Sequence, residues 1–324
     1  MGRFIIRRLL LMIPLLLGVS FLTFALINLI PGSPITNLRT NPKIRPTDLA
    51  RLQEQLGLNR PWPARYVEWL GRLLQGDLGH SMYNNVPVRD RIWAVLPNTL
   101  LLSTSALILA LLVAIPLGVY AGAHHRSWFD RLTNVSNVAL FAIPNAWLAL
   151  LLVILFSLKF HEWGLPSLPA TGITDARHGG GLGDRIRHLI LPMISLSLIQ
   201  IGIWASYIRS SMLEALHQDY VRTARAKGLS RRAVLYGHAF RNAFLPLVTL
   251  IGLSLPSLFG GAILTETVFA WNGIGLLTLQ AVDQRDYTLI MGTTLMFSVL
   301  TMLGNLIADV AYAALDPRIR LDQR

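Results

Sequence analysis

Six long apolar stretches separated by short charged ones organise the chain. Leu9 to Ile30, Ile92 to Ala123, Leu132 to Leu158, Leu189 to Ile208, Asn242 to Thr265 and Tyr287 to Ala308 each run without an Asp, Glu, Lys or Arg. A helix needs about 20 residues to cross the hydrocarbon layer, so the pattern predicts six spans and an all-α integral membrane protein. Basic flanks stay on the cytoplasmic side. Arg3, Arg7 and Arg8 before the first run therefore place the N-terminus inside. The loops then alternate, with His124 to Arg131 and Arg209 to Arg241 inside, and Lys159 to His188 and Trp271 to Asp286 outside. The first run is longer than the apolar core of a cleaved signal peptide and ends in Pro31-Gly32-Ser33-Pro34, so it reads as an uncleaved span.

Residues 31–96 break the apolar rhythm. They are mixed polar and charged, with Pro34, Pro42, Pro46, Pro61, Pro63 and Pro87, and read as an extracytoplasmic segment. Leu49, Leu52 and Leu56, and then Tyr66, Trp69, Leu70 and Leu73, recur at helical spacing. The spacing predicts two short amphipathic helices split by Pro61-Trp62-Pro63. The expected partition is residues 1–30 for the cytoplasmic N-terminus and first span and 31–96 for the outside segment. Residues 97–313 then form a five-span core with a cytoplasmic loop at 209–241, and 314–324 a cytoplasmic tail.

The most charged part of the chain is also patterned. The loop from Arg209 to Arg241 carries seven Arg or Lys against Glu214 and Asp219. Within it Leu213, Leu216, Tyr220 and Ala224 fall on one helical stripe, with Arg222 and Arg225 turned elsewhere. Gly228 is expected to close that helix in the left-handed conformation, and Ser230 to cap a second helix that buries Ala233, Tyr236, Phe240 and Phe244. The stretch Tyr220 to Pro246 is thus read as a helical hairpin.

Composition agrees with membrane residence: 53% of the 324 residues are hydrophobic, 14% are charged, and the mean hydropathy is +0.49. The net charge of +12 does not indicate nucleic acid, because the cations lie between spans and form no free basic stripe with interleaved aromatics. The absence of cysteine removes disulfides, thiolate metal sites and cysteine nucleophiles together. The lysines are Lys43, Lys159 and Lys227, and none follows the spaced glycines of a phosphate-cradling loop. His124-His125 are adjacent, about 100° apart on a helix, and His161-Glu162 lacks the second histidine of a zinc-protease helix, so neither marks a metal or an enzyme. Polar residues in or beside spans, Asn98, Asn145, Gln200, Glu266, Asn305 and Asp309, are expected to face the bundle interior. Glu266, between Thr265 and Thr267, is a candidate for lining the outer end of a solute path or for a helix–helix hydrogen bond, and Asp309 for pairing with a cytoplasmic arginine. Pro14, Pro116, Pro144, Pro192, Pro246, Pro256 and Gly260-Gly261 read as packing features or as bends for alternating access.

Four stretches carry a resemblance. Thr223-Ala224-Arg225-Ala226-Lys227-Gly228, followed by a second helix and Leu245-Pro246, resembles the coupling loop of ABC-importer permeases, narrowly the dipeptide and oligopeptide branch. Gly76-Asp77-Leu78-Gly79 with Ser81 and Pro87-Val88 points the same way. So do Val268 to Gly275 with Arg285-Asp286-Tyr287, and Leu315-Asp316-Pro317-Arg318. The general family pattern opens the loop with Glu-Ala-Ala, where this chain has Arg222, Thr223 and Ala224, so no role of a glutamate transfers to Arg222. The resemblance implies a type I importer bundle in a bacterial cytoplasmic membrane, paired with a second homologous permease. It implies two ATPase subunits that hold ATP and Mg, an extracytoplasmic solute-binding protein, no cofactor on this chain, and di- or oligopeptide as solute. Nickel, glutathione or another small solute of the same branch is the alternative. From a different class stands a self-sufficient ion-coupled transporter, which would need an internal repeat that the sequence does not display. The ATPase-coupling residues implied are Tyr220, Arg222, Thr223, Ala224, Arg225, Ala226, Lys227, Gly228 and Ser230, with the small side chains at 224, 226 and 228 allowing close approach. Asn98, Asn145, Gln200 and Glu266 are the candidates for the path.

Overall fold

The computed structural model describes residues 2–29, 54, 57, 59–175 and 180–315, with several side chains of the helix at 241–268 left aside. The helix expected on Leu49, Leu52 and Leu56, the Pro31–Pro34 stretch and the Asp316-Pro317-Arg318 tail lie outside the described residues. In chain order the helices are α1 Gly2–Leu29, α2 Trp62–Leu74, α3 Val88–Ala123, α4 Trp128–Ala142, α5 Asn145–Val153, α6 Leu182–Leu216, α7 Asp219–Ala226, α8 Arg241–Val268, α9 Ile274–Asp283 and α10 Tyr287–Leu315. Among the described residues the β structure is a single bridge between His80 and Pro87.

Among the described residues five helical stretches are long and apolar enough to cross a membrane: Ile5–Leu29, Val88–Ala123, Asn145–Glu162, Leu182–Leu216 and Tyr287–Val310. The sixth expected run, Asn242 to Thr265, lies within α8, a helix of 28 residues. The third run departs from expectation. Leu132 to Leu158 is not one span, because α4 stops at Ala142 and Ile143 turns extended with ψ 123°. Pro144 is the cause, since its ring drives the preceding residue out of the helical region. The helix restarts at Asn145 and continues through a π-wound segment, Ile154–Lys159, to Glu162. Pro14 and Pro192, by contrast, are carried inside α1 and α6.

The chain divides into two compact units, Met1–Thr99 with Asn272–Met302, and Leu100–Trp271 with Leu303–Arg324. In the first, the stripe Tyr66, Trp69, Leu70, Leu73 of α2 closes over Phe24 and Ile27 of α1. The Tyr66 hydroxyl sits 3.0 Å from Ser20 Oγ, with the Phe21 and Phe24 rings 5.4 and 5.5 Å away. The amphipathic helix read as an outside element is therefore seated on the first span. A second core joins the start of α3 to α9 and α10 through Val88, Ile92, Ile274, Leu277 and Leu289.

The second unit is built on α6 against α3. A Cβ at Gly118 or Gly122 would come within 2.7 Å of the Cβ of Ile208 or Met212. Only glycine permits this approach, and the four-residue spacing is the small-residue seam by which membrane helices pack. The same core continues through Ala215, Val221, Ala224, Val234 and Ala239, so the charged hairpin is welded to the α3–α6 seam.

Candidate functional site

The hairpin begins where α6 ends. The chain turns at His217-Gln218, and α7 buries Val221 and Ala224. Gly228 takes φ +76°. Its N–H donates to Arg225 O at 3.0 Å and the Leu229 N–H to Ala224 O at 3.4 Å, so two terminal carbonyls of α7 are satisfied by a Schellman turn. Ser230 accepts at Oγ from the Ala233 N–H, 3.3 Å. The stop and the cap expected from the sequence are both present.

The buried face is shifted from the expected one. Tyr220 and Tyr236 are 37% and 58% exposed and Ala233 is exposed, while Val221, Ala224, Val234 and Ala239 carry the core. Two causes act. The turn at 217–218 breaks the phase between α6 and α7, and Ala233–Phe240 is π-wound, so its inward residues recur five apart rather than at the α-helical spacing. Ala224 thus faces the protein's own core and not an approaching partner. Arg222, Thr223, Arg225, Ala226, Lys227, Gly228 and Ser230 are exposed with Tyr220. Arg222 lies 3.7 Å from Asp219 with both side chains in solvent. Among the described residues Arg225, Lys227, Arg231 and Arg232 have no ion pair.

At the root of the hairpin lies a charge pair between residues that the sequence reading had not joined. Asp130, 2% exposed in the first turn of α4, accepts from Arg209 Nε and, at 3.0 Å, from Arg209 Nη2. Arg126 N–H donates to it at 2.9 Å, and His125 Nδ1 lies 3.3 Å away. The Arg209 hydrogen bond holds the Asp130 carboxyl down to about 2, against the opposing effect of burial. Ser127 caps the same turn by accepting from the Asp130 N–H. The available signal was Ser127 three residues before Asp130, the one acid in a basic loop.

In the first unit two of the motif stretches meet. Asp286 caps α10 by accepting at Oδ1 from the Leu289 N–H, 3.1 Å, and also accepts from the Met82 N–H at 3.0 Å and from the Ser81 hydroxyl. The Gly76–Gly79 turn leads into Ser81, with Asp77 accepting from the Gly79 N–H at 2.8 Å. The Val268–Gly275 stretch is tied down within each unit: Trp271 N–H donates to Glu266 O at 2.8 Å, and Ile274 N–H to Thr99 Oγ1 at 2.8 Å.

The path candidates fall in both units. Asn98 belongs to the first unit and donates to Asn272 O at 2.7 Å. Asn145 opens α5, donating to Thr265 Oγ1 and accepting from Ser195 Oγ, at 3.3 and 3.4 Å. Gln200 is buried on α6, and Glu266 is fully buried beside Thr265. Its carboxylate is enclosed rather than lining an open outer mouth. Asn305 and Asp309 are half-buried on α10.

Several helices long and apolar enough to span a bilayer, with a capped, cation-rich hairpin between two of them, define a multi-pass membrane protein. Residues 114–321 match the family described as the binding-protein-dependent transport system inner membrane component, and residues 1–103 match its N-terminal region. The chain belongs to this family of ABC-importer permeases, as its motif stretches indicated. It is 42% identical over 320 residues to the oligopeptide transport system permease protein AppB of Bacillus subtilis, covering 98% of this chain and 99% of the relative. It is 39% identical over 339 residues to the dipeptide transport system permease protein DppB of Escherichia coli K12, covering 99% of each. A putative peptide permease protein of Brucella suis is 40% identical over 324 residues, covering 99% of this chain and all of the relative.

Proposed function

We propose that this chain is one of two homologous permease subunits enclosing a path for di- or oligopeptides. Two separate ATPase subunits would hold ATP and Mg, and an extracytoplasmic solute-binding protein would deliver the solute. The observation that carries the reading is end-to-end similarity to relatives named for peptide transport, at 42% and 39% identity. On this reading both termini and the 209–241 loop face the cytosol, residues 31–96 lie outside, residues 97–313 form the core and 314–324 the tail. The chain has no phosphate-cradling loop of its own in sequence, so the energy enters through the hairpin.

The exposed face of α7 and its turn, from Arg222 to Ser230 with Tyr220, is the surface offered to an ATPase. Ala224 works from behind by seating α7 on the α3–α6 seam. Movement of the ATPases biases the bundle between two states, and that bias is the differential stabilisation transport needs. Asn98, Asn145, Gln200 and Glu266 meet the solute in a state where the bundle has parted around them.

The test is co-reconstitution in liposomes with the partner permease, ATPases and binding protein, reading ATP-dependent uptake of labelled di- and tetrapeptides. Uptake is expected only when all subunits and ATP are present. Uptake by this chain without any ATPase, driven by an ion gradient, overturns the importer reading. Preferential uptake of nickel or glutathione keeps the subunit class and replaces the solute.

A further inference from the structure

The first unit holds a cavity of about 340 Å³ that transport coupling does not use. One wall is a face of α2 on which Arg65, Trp69 and Arg72 follow at spacings of four and three residues, one above the other on the helix. Across from it lie Phe24 of α1 and Tyr287 at the start of α10. The position of the cavity is set by the way α2 lies against the first span, from its middle at Leu17 and Ser20 to its end at Asn28. Tyr66 Oη reaches Leu17 O at 3.3 Å, and Arg65 Nη1 donates to Asn28 Oδ1 at 3.1 Å, one residue before α1 ends. Arg65 therefore stands where the Ile5–Leu29 stretch leaves the hydrocarbon. Trp62, Tyr66 and Trp69 of α2 pack in one cluster with Phe24 and Ile27, and such amphipathic rings favour the membrane boundary.

Among the described residues Arg65 has no carboxylate partner. Its contacts there are the neutral Asn28 amide and the Phe24 ring, whose centroid is 5.8 Å from the guanidinium carbon. Burial pushes the Arg65 guanidinium below its ordinary value, with only a weak opposing effect from Tyr287. A half-buried cation without a counterion costs stability unless an anion reaches it. The neighbouring carboxylates do not fill the role. Glu68 is engaged with Arg60 at 3.2 Å, and with Glu54 included the described residues of the wall still hold three guanidiniums against two carboxylates. Arg72 is exposed and has no ion pair among the described residues.

We propose that this cavity binds the phosphate of a phospholipid headgroup, held principally by Arg65 with Arg72 as the second cation. The guanidinium fork suits two phosphate oxygens at once, and the depth is that at which a bilayer presents them. The site is independent of whether the chain carries peptides.

The full chain, with the subunits that copurify with it, is delipidated and followed by native mass spectrometry and thermal unfolding. Phosphatidylglycerol, diacylglycerol with the same acyl chains, and sodium phosphate at matched ionic strength are added separately. Phosphatidylglycerol is expected to remain bound and to raise Tm, and diacylglycerol to do neither. Arg65→Gln is expected to lower phosphatidylglycerol retention about tenfold, as loss of one charge-assisted contact implies. Arg72→Gln, at an exposed position that supports no internal contact, is expected to lower it about threefold and keeps the test decisive if Arg65→Gln folds poorly. A Tm gain from sodium phosphate equal to that from phosphatidylglycerol overturns the lipid as source and leaves a free-anion site. Equal retention of diacylglycerol, or retention unchanged in both variants, overturns the proposal outright.

Discussion

Asp130 and Asp286 are both buried aspartates that tie distant parts of the chain together, yet they are satisfied by opposite means. Asp286 is held by neutral donors: one hydroxyl from Ser81 and the N–H groups of Met82 and Leu289. Asp130 is held by a guanidinium, with one backbone N–H and the His125 ring beside it. Neutral donors on short backbone segments fix geometry, because their directions are set by the turn that carries them. An ion pair between two helices is less directional and draws its strength from local dielectric. The first arrangement suits a lock between a loop and a helix start. The second suits the base of the hairpin, where it joins α4 to the last turns of α6.

The largest effect is expected from Asp286→Ala. It orphans two buried donors, the Ser81 hydroxyl and the Leu289 N–H that forms the cap of α10, at about 1–3 kcal/mol each, and the half-buried Met82 N–H, which water partly reaches at a smaller cost. A loss of about 3–5 kcal/mol, read as a large drop in Tm of the detergent-purified chain, is expected. A drop equal to that of Ser81→Ala alone breaks the comparison, since it would mean that the backbone donors find water.

Asp130→Asn is next. Removing one member of a buried pair costs about 3–5 kcal/mol, but Arg209 keeps about a fifth of its side chain exposed and rehydrates, so about 2–3 is expected. The pH dependence identifies the cause. A carboxyl depressed in the folded state stabilises above its unfolded value near 4 and loses that contribution as pH falls toward its folded value of about 2. The Tm gap between wild type and Asp130→Asn is expected to be constant above pH 5 and to close between about pH 4 and 2.

Much of this was legible in the sequence, and the parts that were not share a physical reason. The apolar runs announce spans because the bilayer demands about 20 residues of them, and Gly228 and Ser230 announce the hairpin turn because caps are local chemistry. The break at Ile143 was hidden by hydropathy, which is indifferent to backbone direction, although Pro144 supplied the signal. The hairpin's inward face was misread because a π-wound segment does not obey the α-helical period. The two aspartate nodes join residues 79 and 205 positions apart, and no local pattern reports a partner at that distance. The hairpin was legible as a place, while Ala224, expected to allow close approach of a partner, is buried in the chain's own core.

Gly228→Val sharpens the comparison. Nothing lies within 4 Å of where a Cβ would stand, so the cost comes from φ +76° alone. A β-branched residue in the left-handed region costs about 1–2 kcal/mol, less than either aspartate variant. The chain is expected to insert and to hold both aspartate nodes, while uptake in the reconstituted complex falls by about tenfold or more, because the Schellman turn directs the exposed face. Uptake at the wild-type level removes the turn geometry from the coupling argument.

Arg222→Ala is the smallest perturbation and the sharpest control, because Arg222–Asp219 repeats the Arg–Asp chemistry of the buried pair with 80% and 96% of the side chains in solvent. Such pairs are screened and pay for their own ordering in side-chain entropy. No change in Tm is expected at physiological salt, in contrast to Asp130→Asn. Any fall in uptake must then come from what Arg222 meets outside its own chain. A fall that shrinks as salt is raised points to an electrostatic contact, because screening removes it from the wild type too. A fall independent of salt points to shape, and uptake that stays at the wild-type level assigns the contact to the neighbouring Arg225 and Lys227.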